Sequence, residues 1–274
     1  MSCERFADHG IDYHACRYEG SGLFFRGPKR EVGPDEEHVV VLGGTETFGP
    51  FMEEPYPAVL EVLSGRKVIN LGSHHAGLQA LESDPAIAGF CARAQTVIIQ
   101  ITSAAAMSNR FYGVHPRRND RFTSPRPMMR RIFADVDFTG IHFVGHLVAT
   151  LVKQSPRRFG LLREELCREW LSRMRSFVRR IPGRVILLWV GERSPEEAAT
   201  LAADWRGPHF VDRAMLEALA GDGPEIVEIV AMPEEIEAGH ARMLFQMHEA
   251  PAAHSLLGPV VHQEIARQLA GRLG

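Results

Sequence analysis

Lysine is almost absent from this chain. Lys29, Lys67 and Lys153 are the only lysines, so arginine supplies nearly all of the 31 basic side chains of the 274 residues. Because 34 Asp and Glu residues oppose them, the formal net charge at pH 7 is -3. This balance excludes a basic nucleic-acid arm as the dominant feature of the chain.

Long apolar runs and paired cysteines are also missing. The longest apolar run, Val185 to Val190, has the length of a strand, whereas a membrane-spanning helix needs about 18 apolar residues. The N-terminus lacks the basic start and apolar core of a secretory signal. The four cysteines form no CxxC pair, and Cys3, His9, His14 and Cys16 match no zinc module. We therefore expect a cytoplasmic protein with no metal, no cofactor and no membrane contact.

Apolar runs of strand length alternate with segments of helical periodicity. Buried strands are predicted at His38–Leu42, Lys67–Leu71, Thr96–Ile101, Val185–Val190 and Ile226–Val230, with a short extra strand at His209–Asp212. Helices are predicted at Pro57–Leu63, Gly77–Arg93, His142–Val152, Leu161–Ile181, Ala214–Ala220 and Val260–Leu273. This alternation predicts an α/β fold, a three-layer α/β/α sandwich with a mostly parallel five-stranded sheet.

The predicted domain organisation follows from where this alternation begins. Residues 1–37 have no long hydrophobic period, which indicates an irregular N-terminal extension packed on the body. Residues 38–274 are predicted to form a single domain. Within it, segment 109–134 is polar, rich in arginine and broken by prolines, so it is predicted to be an inserted loop with a functional role.

Two glycine turns follow the first two predicted strands. The carboxyl ends of parallel strands carry the reactive residues of such folds. The turn Gly43-Gly44-Thr45 exposes a hydroxyl there, although Thr45 also suits a plain helix cap. In Asn70-Leu71-Gly72, the N–H of Gly72 is a candidate oxyanion donor, and His74 lies on the same rim.

The order of these segments resembles the SGNH (GDSL-type) hydrolase superfamily. Its Gly-Asp-Ser and Asn-x-Gly segments are similar to the two turns above, and its histidine before the final helix is similar to His262. The resemblance implies an SGNH-like fold in which Thr45 is the nucleophile and His262 the general base. It also implies an oxyanion hole made by Gly72 and the backbone of Gly44 and Thr45.

The chain departs from the superfamily pattern at three places. A threonine replaces the nucleophilic serine, and the loop after the third strand lacks the usual glycine and asparagine. Pro259 stands where an aspartate normally orients the histidine, and Glu249 is the candidate for that orienting acid. Two further segments, Met107–Tyr112 and His115–Phe122, resemble a bacterial family of domain-of-unknown-function proteins, which implies no reaction.

Segment 109–134 concentrates positive charge around a single acid, Asp120. Arginine forks match carboxylate, phosphate and sulfate groups, which predicts a small-molecule or glycan substrate that is anionic. The predicted substrate-binding residues are Asn70, His74, Asn109, Arg110, His115, Arg117, Arg118 and Arg121. The alternative is a solvated loop in ion pairs with Glu164, Glu165 and Glu169.

The sequence therefore leaves two kinds of function open, that of an enzyme and that of a binding protein. The first hypothesis is an esterase, deacetylase or acyltransferase that acts on an anionic, carbohydrate-linked ester. The second is a catalytically degenerate relative that binds an anion through its arginines. A sulfo- or phosphotransferase is a third interpretation, which lacks a recognisable donor loop. Nucleic acid is not an expected partner, and the sequence does not indicate an oligomeric state.

Overall fold

The computed structural model describes residues 10–198 and 207–273. In these ranges the chain forms seven strands: β1 (Val39–Gly43), β2 (Val68–Gly72), β3 (Thr96–Gln100), β4 (Tyr112–Val114), β5 (Phe122–Pro125), β6 (Arg184–Gly191) and β7 (Glu225–Val230). Five of them form one sheet in the order β2-β1-β3-β6-β7, and every neighbouring pair is parallel. This order confirms the predicted α/β fold with a five-stranded parallel sheet.

Helices cover both faces of the sheet. They are α1 (Thr45–Phe48), α2 (Tyr56–Ser64), α3 (Leu78–Ser83), α4 (Pro85–Cys91), α5 (Pro127–Ile132), α6 (Val144–Gln154), α7 (Pro156–Val178), α8 (Pro195–Ala198), α9 (Arg213–Ala220), α10 (Pro233–His240), α11 (Ala250–Ala253) and α12 (Pro259–Leu273), with a 3₁₀ turn at Met247–Glu249. In the described ranges no helix combines the length and the apolarity that crossing a membrane requires.

Successive strand residues point to opposite faces of the sheet and so contribute to two separate hydrophobic cores. Val40 and Leu42 of β1 pack in a core with α3, α4, α6, α7 and α9. Val39 and Val41 of the same strand pack on the other face with α2, α10 and α12. A strand that is buried on both faces has a continuous apolar sequence. These strands could therefore be predicted from the sequence.

Two segments differ from their predictions. The arginine-rich segment contains an antiparallel hairpin of β4 and β5 followed by α5, instead of irregular loop alone. The strand predicted at His209–Asp212 is wrong, because residues 209–210 form a turn and residues 211–212 lead directly into α9, which Asp212 caps. The carbonyl of His209 instead accepts a hydrogen bond from the N–H of Ala104, 2.9 Å away.

The N-terminal segment runs beside the edge strand β2. Residues 10–37 contain no helix or extended strand pairing beyond a single antiparallel bridge between Cys16 and Phe25. The N–H of Arg26 donates to the carbonyl of Gly72 at 3.1 Å. Residues 1–9 of the predicted extension lie outside the described residues, and the proposed division into an extension and a single domain stays a prediction.

Candidate functional site

Thr45 lies where β1 ends and α1 begins, at the carboxyl edge of the sheet. Its Oγ1 accepts a hydrogen bond of 3.0 Å from the main-chain N–H of His75, in the turn after β2. Thr45 as a residue is half-buried. The predicted nucleophile and the second predicted turn therefore meet at one edge.

The side-chain amide of Gln100, at the end of β3, holds the turn between β1 and α1. Its Oε1 accepts hydrogen bonds from the N–H of Gly44 at 3.1 Å and from Thr47 Oγ1 at 2.7 Å. Gly44 was predicted to supply part of the oxyanion hole, but its N–H is already donated inside the protein. Gln100 was not identified as a site residue from the sequence. The signal that could have identified it is a polar residue at the carboxyl end of a buried strand.

Gly72 is required by the close approach of α1. A Cβ at this position would lie 2.5 Å from the main-chain nitrogen of Phe48 and 2.6 Å from the carbonyl carbon of Thr47. The Gly72 N–H donates to Asn70 Oδ1 at 2.8 Å, and Asn70 Nδ2 donates to the Thr47 carbonyl at 3.2 Å. The contacts of Gly72 and Asn70 therefore hold α1 against β2.

His262 is fully buried, and both of its nitrogens have partners within the chain. Its Nδ1 accepts a hydrogen bond from the Tyr56 N–H at 3.0 Å, so in the neutral ring the proton sits on Nε2. That Nε2 lies 3.5 Å from Glu46 Oε2. In the described part of the chain no hydrogen bond joins His262 to Thr45, so the predicted pair is not brought together directly.

Glu46, which the sequence analysis missed, is the carboxylate beside His262. Its Oε1 also accepts a hydrogen bond from the Leu257 N–H at 3.2 Å. Glu249, the candidate acid from the sequence, instead accepts the N–H of Gln246 at 2.8 Å and closes the 3₁₀ turn. The carboxylate beside this histidine therefore comes from Glu46, 216 positions earlier in the chain.

His75 and Asp120 form a second imidazole–carboxylate pair, next to Thr45. Nδ1 of His75 lies 3.7 Å from Asp120 Oδ2, and Arg118 Nη2 donates to the same oxygen at 3.0 Å. His75 has a φ of 60°, a conformation that is rare for a residue other than glycine. It is held from both sides, because its N–H binds Thr45 and its carbonyl accepts the N–H of Asn119 at 3.0 Å.

Burial favours the neutral form of both adjacent imidazoles. Burial lowers the pKa of His75; Asp120 opposes this effect, whereas Arg118 and Arg121 reinforce it. Burial lowers the pKa of His74 to about 3, with further lowering by His75 and Arg118. A neutral imidazole has a free lone pair, which is the state that a general base needs.

Part of the arginine-rich segment reaches this edge. Nδ1 of His115 accepts hydrogen bonds from the main-chain N–H groups of Arg117 (3.3 Å) and Arg118 (3.1 Å), which shapes the loop that carries both guanidinium groups. Arg117 and Arg121 are exposed, and Arg121 packs over the ring of Phe143 with 5.6 Å to its centroid. His74, His115, Arg117, Arg118 and Arg121 thus belong to one region of the molecule.

Two other predicted binding residues are engaged elsewhere. Arg110 pairs with Glu165 of α7 at 3.0 Å, as the alternative interpretation of the loop predicted. Asn109 is buried, and its Oδ1 accepts the N–H groups of Phe111 and Tyr112 at 2.8 and 3.2 Å. These contacts give Arg110 and Asn109 a part in holding the β4–β5 hairpin.

Asn119 is a structural residue that the sequence analysis did not single out. It is completely buried, and its Oδ1 accepts the N–H groups of Gly77 (2.9 Å) and Ala80 (3.1 Å) at the start of α3. Its Nδ2 donates to the His115 carbonyl at 3.0 Å. Asn119 therefore ties the arginine-rich loop to the turn that carries the two adjacent histidines.

In the described part of the chain no three His, Cys, Asp or Glu side chains are grouped to hold a metal ion. Cys3 and His9, considered as ligands from the sequence, lie outside the described residues.

Comparisons with known proteins give a family and distant similarity to solved structures. The profile of the family described as "Domain of unknown function (DUF6473)" matches residues 1–274. A search of curated proteins found no match. A solved structure described as "BT4096 a gut microbial diltiazem-metabolizing enzyme" is similar with 12% identity and a TM-score of 0.38, covering 88% of this chain and 47% of that chain. The chain thus spans about half the length of that protein, and so distant a likeness carries no argument about activity.

Proposed function

We propose that this chain, which belongs to the family described as "Domain of unknown function (DUF6473)", transfers the acyl group of an anionic ester to water or to a second hydroxyl. Thr45 is the proposed nucleophile. The observation that carries the proposal is the position of its hydroxyl, which is held by the His75 N–H beside the His75–Asp120 pair. Nucleophile, imidazole and carboxylate are the parts that acyl transfer needs.

In the proposed reaction Thr45 Oγ1 attacks the ester carbonyl, and its proton passes to a neutral imidazole. The imidazolium then returns the proton to the leaving alcohol as the carbon–oxygen bond breaks. Water or a sugar hydroxyl attacks the acyl-threonine in the second half, giving its proton to the same imidazole, and the Thr45 hydroxyl is restored. No oxidant, reductant or metal takes part in this sequence.

We propose His75 rather than His262 as the base, because the His75 side chain is 35% exposed whereas that of His262 is fully buried. Asp120 Oδ2 lies 3.7 Å from Nδ1 of His75. In the described residues no hydrogen bond joins the His75 ring to Thr45, so the proposal requires the imidazole to reach Oγ1 directly or through one water when substrate binds. Both nitrogens of His262 are occupied by Tyr56 and Glu46. The assignment of His262 as base stays a prediction, and the experiment below compares the two histidines.

The charge of the arginine loop supports an anionic substrate. In the described residues Arg117 and Arg121 form no ion pair, and Arg118 shares a single acid, Asp120. This loop therefore carries three guanidinium groups and one carboxylate: Arg118 binds Asp120, the Arg117 side chain lies beside Gly22, and Arg121 lies over the ring of Phe143. We propose that they bind the carboxylate, phosphate or sulfate of a small-molecule or glycan ester.

Anion binding without catalysis is the second candidate. The N–H groups of Gly44 and Gly72, which a superfamily oxyanion hole would use, are donated to Gln100 and Asn70. Unless these bonds open when substrate binds, the site has fewer donors for a tetrahedral intermediate than an active esterase. This observation favours a binding role for the same arginines.

Hydrolysis of p-nitrophenyl acetate and mono-p-nitrophenyl succinate separates the two candidates. We expect turnover that Thr45→Ala lowers by about 100-fold or more, while the matched control Thr123→Ala, an exposed threonine on β5, leaves it unchanged. His75→Gln is expected to lower kcat strongly, and His262→Gln to act mainly on stability. Absence of turnover, combined with a rise in melting temperature on addition of phosphate or sulfate, would instead support the binding role.

A further inference from the structure

The pairing of β2 with β1 leaves one edge of β2 free. The Val39 N–H donates to the Lys67 carbonyl at 2.9 Å, and the Ser73 N–H donates to the Gly43 carbonyl at 3.1 Å. Residues 67, 69, 71 and 73 therefore direct their main-chain groups towards β1. Because successive residues of a strand alternate, Val68, Asn70 and Gly72 direct theirs towards the outer edge.

Both ends of this outer edge are covered by the protein itself. The Val68 N–H donates to Glu61 Oε2 at 2.9 Å, and the Gly72 carbonyl accepts the N–H of Arg26 at 3.1 Å. In the part of the chain that the structure describes, no hydrogen bond reaches the main-chain N–H or carbonyl of Asn70. Proteins normally cover such groups, because an open strand edge is a template for another strand.

A cavity of about 470 Å³ opens at this uncovered position. The N-terminal segment forms one wall, α2 the other, and β2 the floor. Its lining includes Pro28, Pro57, Val62, Val68 and Asn70. Val62 is 78% exposed, so an apolar side chain marks the entrance. The space and the open main-chain groups together fit a short extended segment.

The charged residues around the cavity indicate which charge a bound peptide segment would carry. The guanidinium of Arg26 is not available to a ligand, because it donates hydrogen bonds within the protein. Its acceptors include the carbonyls of Gly49 (2.7 Å), Met52 (3.0 Å) and Glu53 (2.7 Å). The exposed carboxylates of Glu53 and Glu54 form no ion pair in the described residues. Arg30, which also lines the cavity, is paired with Glu61 at 2.6 Å. The carboxylates of Glu53 and Glu54 therefore favour an incoming cation at this rim.

We propose that the free edge of β2 binds an extended peptide segment that carries lysine or arginine, by strand addition at Asn70. The Asn70 N–H donates to a peptide carbonyl, and the Asn70 carbonyl accepts a peptide N–H. The cationic side chains of the peptide lie against Glu53 and Glu54. This site is separate from Thr45 and does not depend on the proposed ester chemistry.

Titration of the full chain with the labelled peptide Ac-Val-Lys-Val-Lys-Val-NH₂ tests the proposal by fluorescence anisotropy. Three comparisons are made: the same peptide with glutamate for lysine, the lysine peptide with alternate amides N-methylated, and the Glu53→Gln/Glu54→Gln double variant. A Glu234→Gln/Glu237→Gln variant on α10 is the matched control. Amide exchange at Asn70, measured with and without peptide, reports on the main-chain contact.

Strand addition predicts that the glutamate peptide, the methylated peptide and the Glu53/Glu54 variant each bind at least tenfold more weakly, while the α10 control binds normally. Exchange of the Asn70 amide slows when the lysine peptide is bound. Equal binding of the methylated peptide, unchanged exchange at Asn70, or no binding at millimolar peptide would overturn the proposal. Dissociation of a self-associated form by the peptide would assign the edge to a second copy of the chain and would also overturn it.

Discussion

The main-chain N–H of His75 donates a hydrogen bond of 3.0 Å to the side-chain hydroxyl of Thr45. This bond joins the turn after β1 to the turn after β2 and occupies one lone pair of the hydroxyl, so the Thr45 proton is free to point towards a base. The bond also helps to hold His75 at its φ of 60°. Strained backbone that surrounding contacts maintain is common at functional sites, which agrees with the proposed role of this edge.

Asp120 and Arg118 are expected to shift the pH dependence of the reaction in opposite directions. Neutral His75 is the active form, so kcat/KM falls as the pH drops through its pKa. Asp120 raises this pKa and Arg118 lowers it. Asp120→Asn should therefore move the acid limb of the profile to lower pH, and Arg118→Gln should move it to higher pH, each by about one unit. If the acid limb moved in the same direction in both variants, His75 could not be the base.

Gly72→Ala is expected to destabilise the fold by about 1–3 kcal/mol. The added methyl group would press on the backbone of Thr47 and Phe48, and neither can retreat without moving α1. Gly89→Ala in α4 is the matched control, since a Cβ there has nothing within 4 Å. That control should gain about 0.5–1 kcal/mol, as alanine does in a helix interior. Urea unfolding of both variants measures the difference, and equal stabilities would refute the close packing of α1 on β2.

Asn119→Ala should cost about 2–5 kcal/mol of unfolding free energy. Its removal leaves the buried N–H groups of Gly77 and Ala80 without their acceptor. Asn119→Asp keeps an acceptor oxygen at the start of α3 and loses only the donor to the His115 carbonyl, so it should be less destabilised. Chemical denaturation distinguishes the two variants, and an alanine variant as stable as wild type would contradict the capping role.

Stability is expected to fall as the solution becomes acidic, because His74 is buried in its neutral form. Burial lowers the pKa of His74 to about 3 in the folded protein, whereas the unfolded chain titrates near 6.5. Between these values the unfolded state binds the extra proton, so the free energy of unfolding drops by at most about 1.4 kcal/mol per pH unit. This contribution is fully present above about pH 6.5. His74→Gln should flatten the dependence, measured as the urea midpoint from pH 7 to pH 4.

The sheet was predictable because its strands are buried on both faces. Each of the five predicted runs overlaps the strand found there, and the boundaries agree closely, as for Thr96–Gln100. The hairpin of β4 and β5 was missed because strands of three and four residues beside prolines carry no measurable period. The four-residue helix α1 was too short to show helical spacing.

The positions of the candidate site residues were predictable only at the carboxyl ends of strands. Thr45, Gly72 and His74 were placed at such ends from the sequence, and in the structure they lie at one sheet edge; their roles stay a prediction. Asp120 lies 45 positions after His75, and nothing in either local pattern indicates that the two side chains meet. Tertiary packing of the arginine-rich loop, through Asn119, brings them together. The engagement of the Gly44 and Gly72 amides likewise depends on side chains from other segments.

Covalent trapping tests the nucleophile most directly. The protein is mixed with p-nitrophenyl acetate, quenched in acid within the first turnovers, digested and analysed by mass spectrometry. We expect one acetyl group on Thr45 in wild-type protein and none on that peptide in Thr45→Ala. In His75→Gln the acetyl-threonine should accumulate, because loss of the base slows deacylation more than acylation. Hydrolysis that proceeds in full without acetyl at Thr45, or that persists in Thr45→Ala, would rule out Thr45 as the nucleophile.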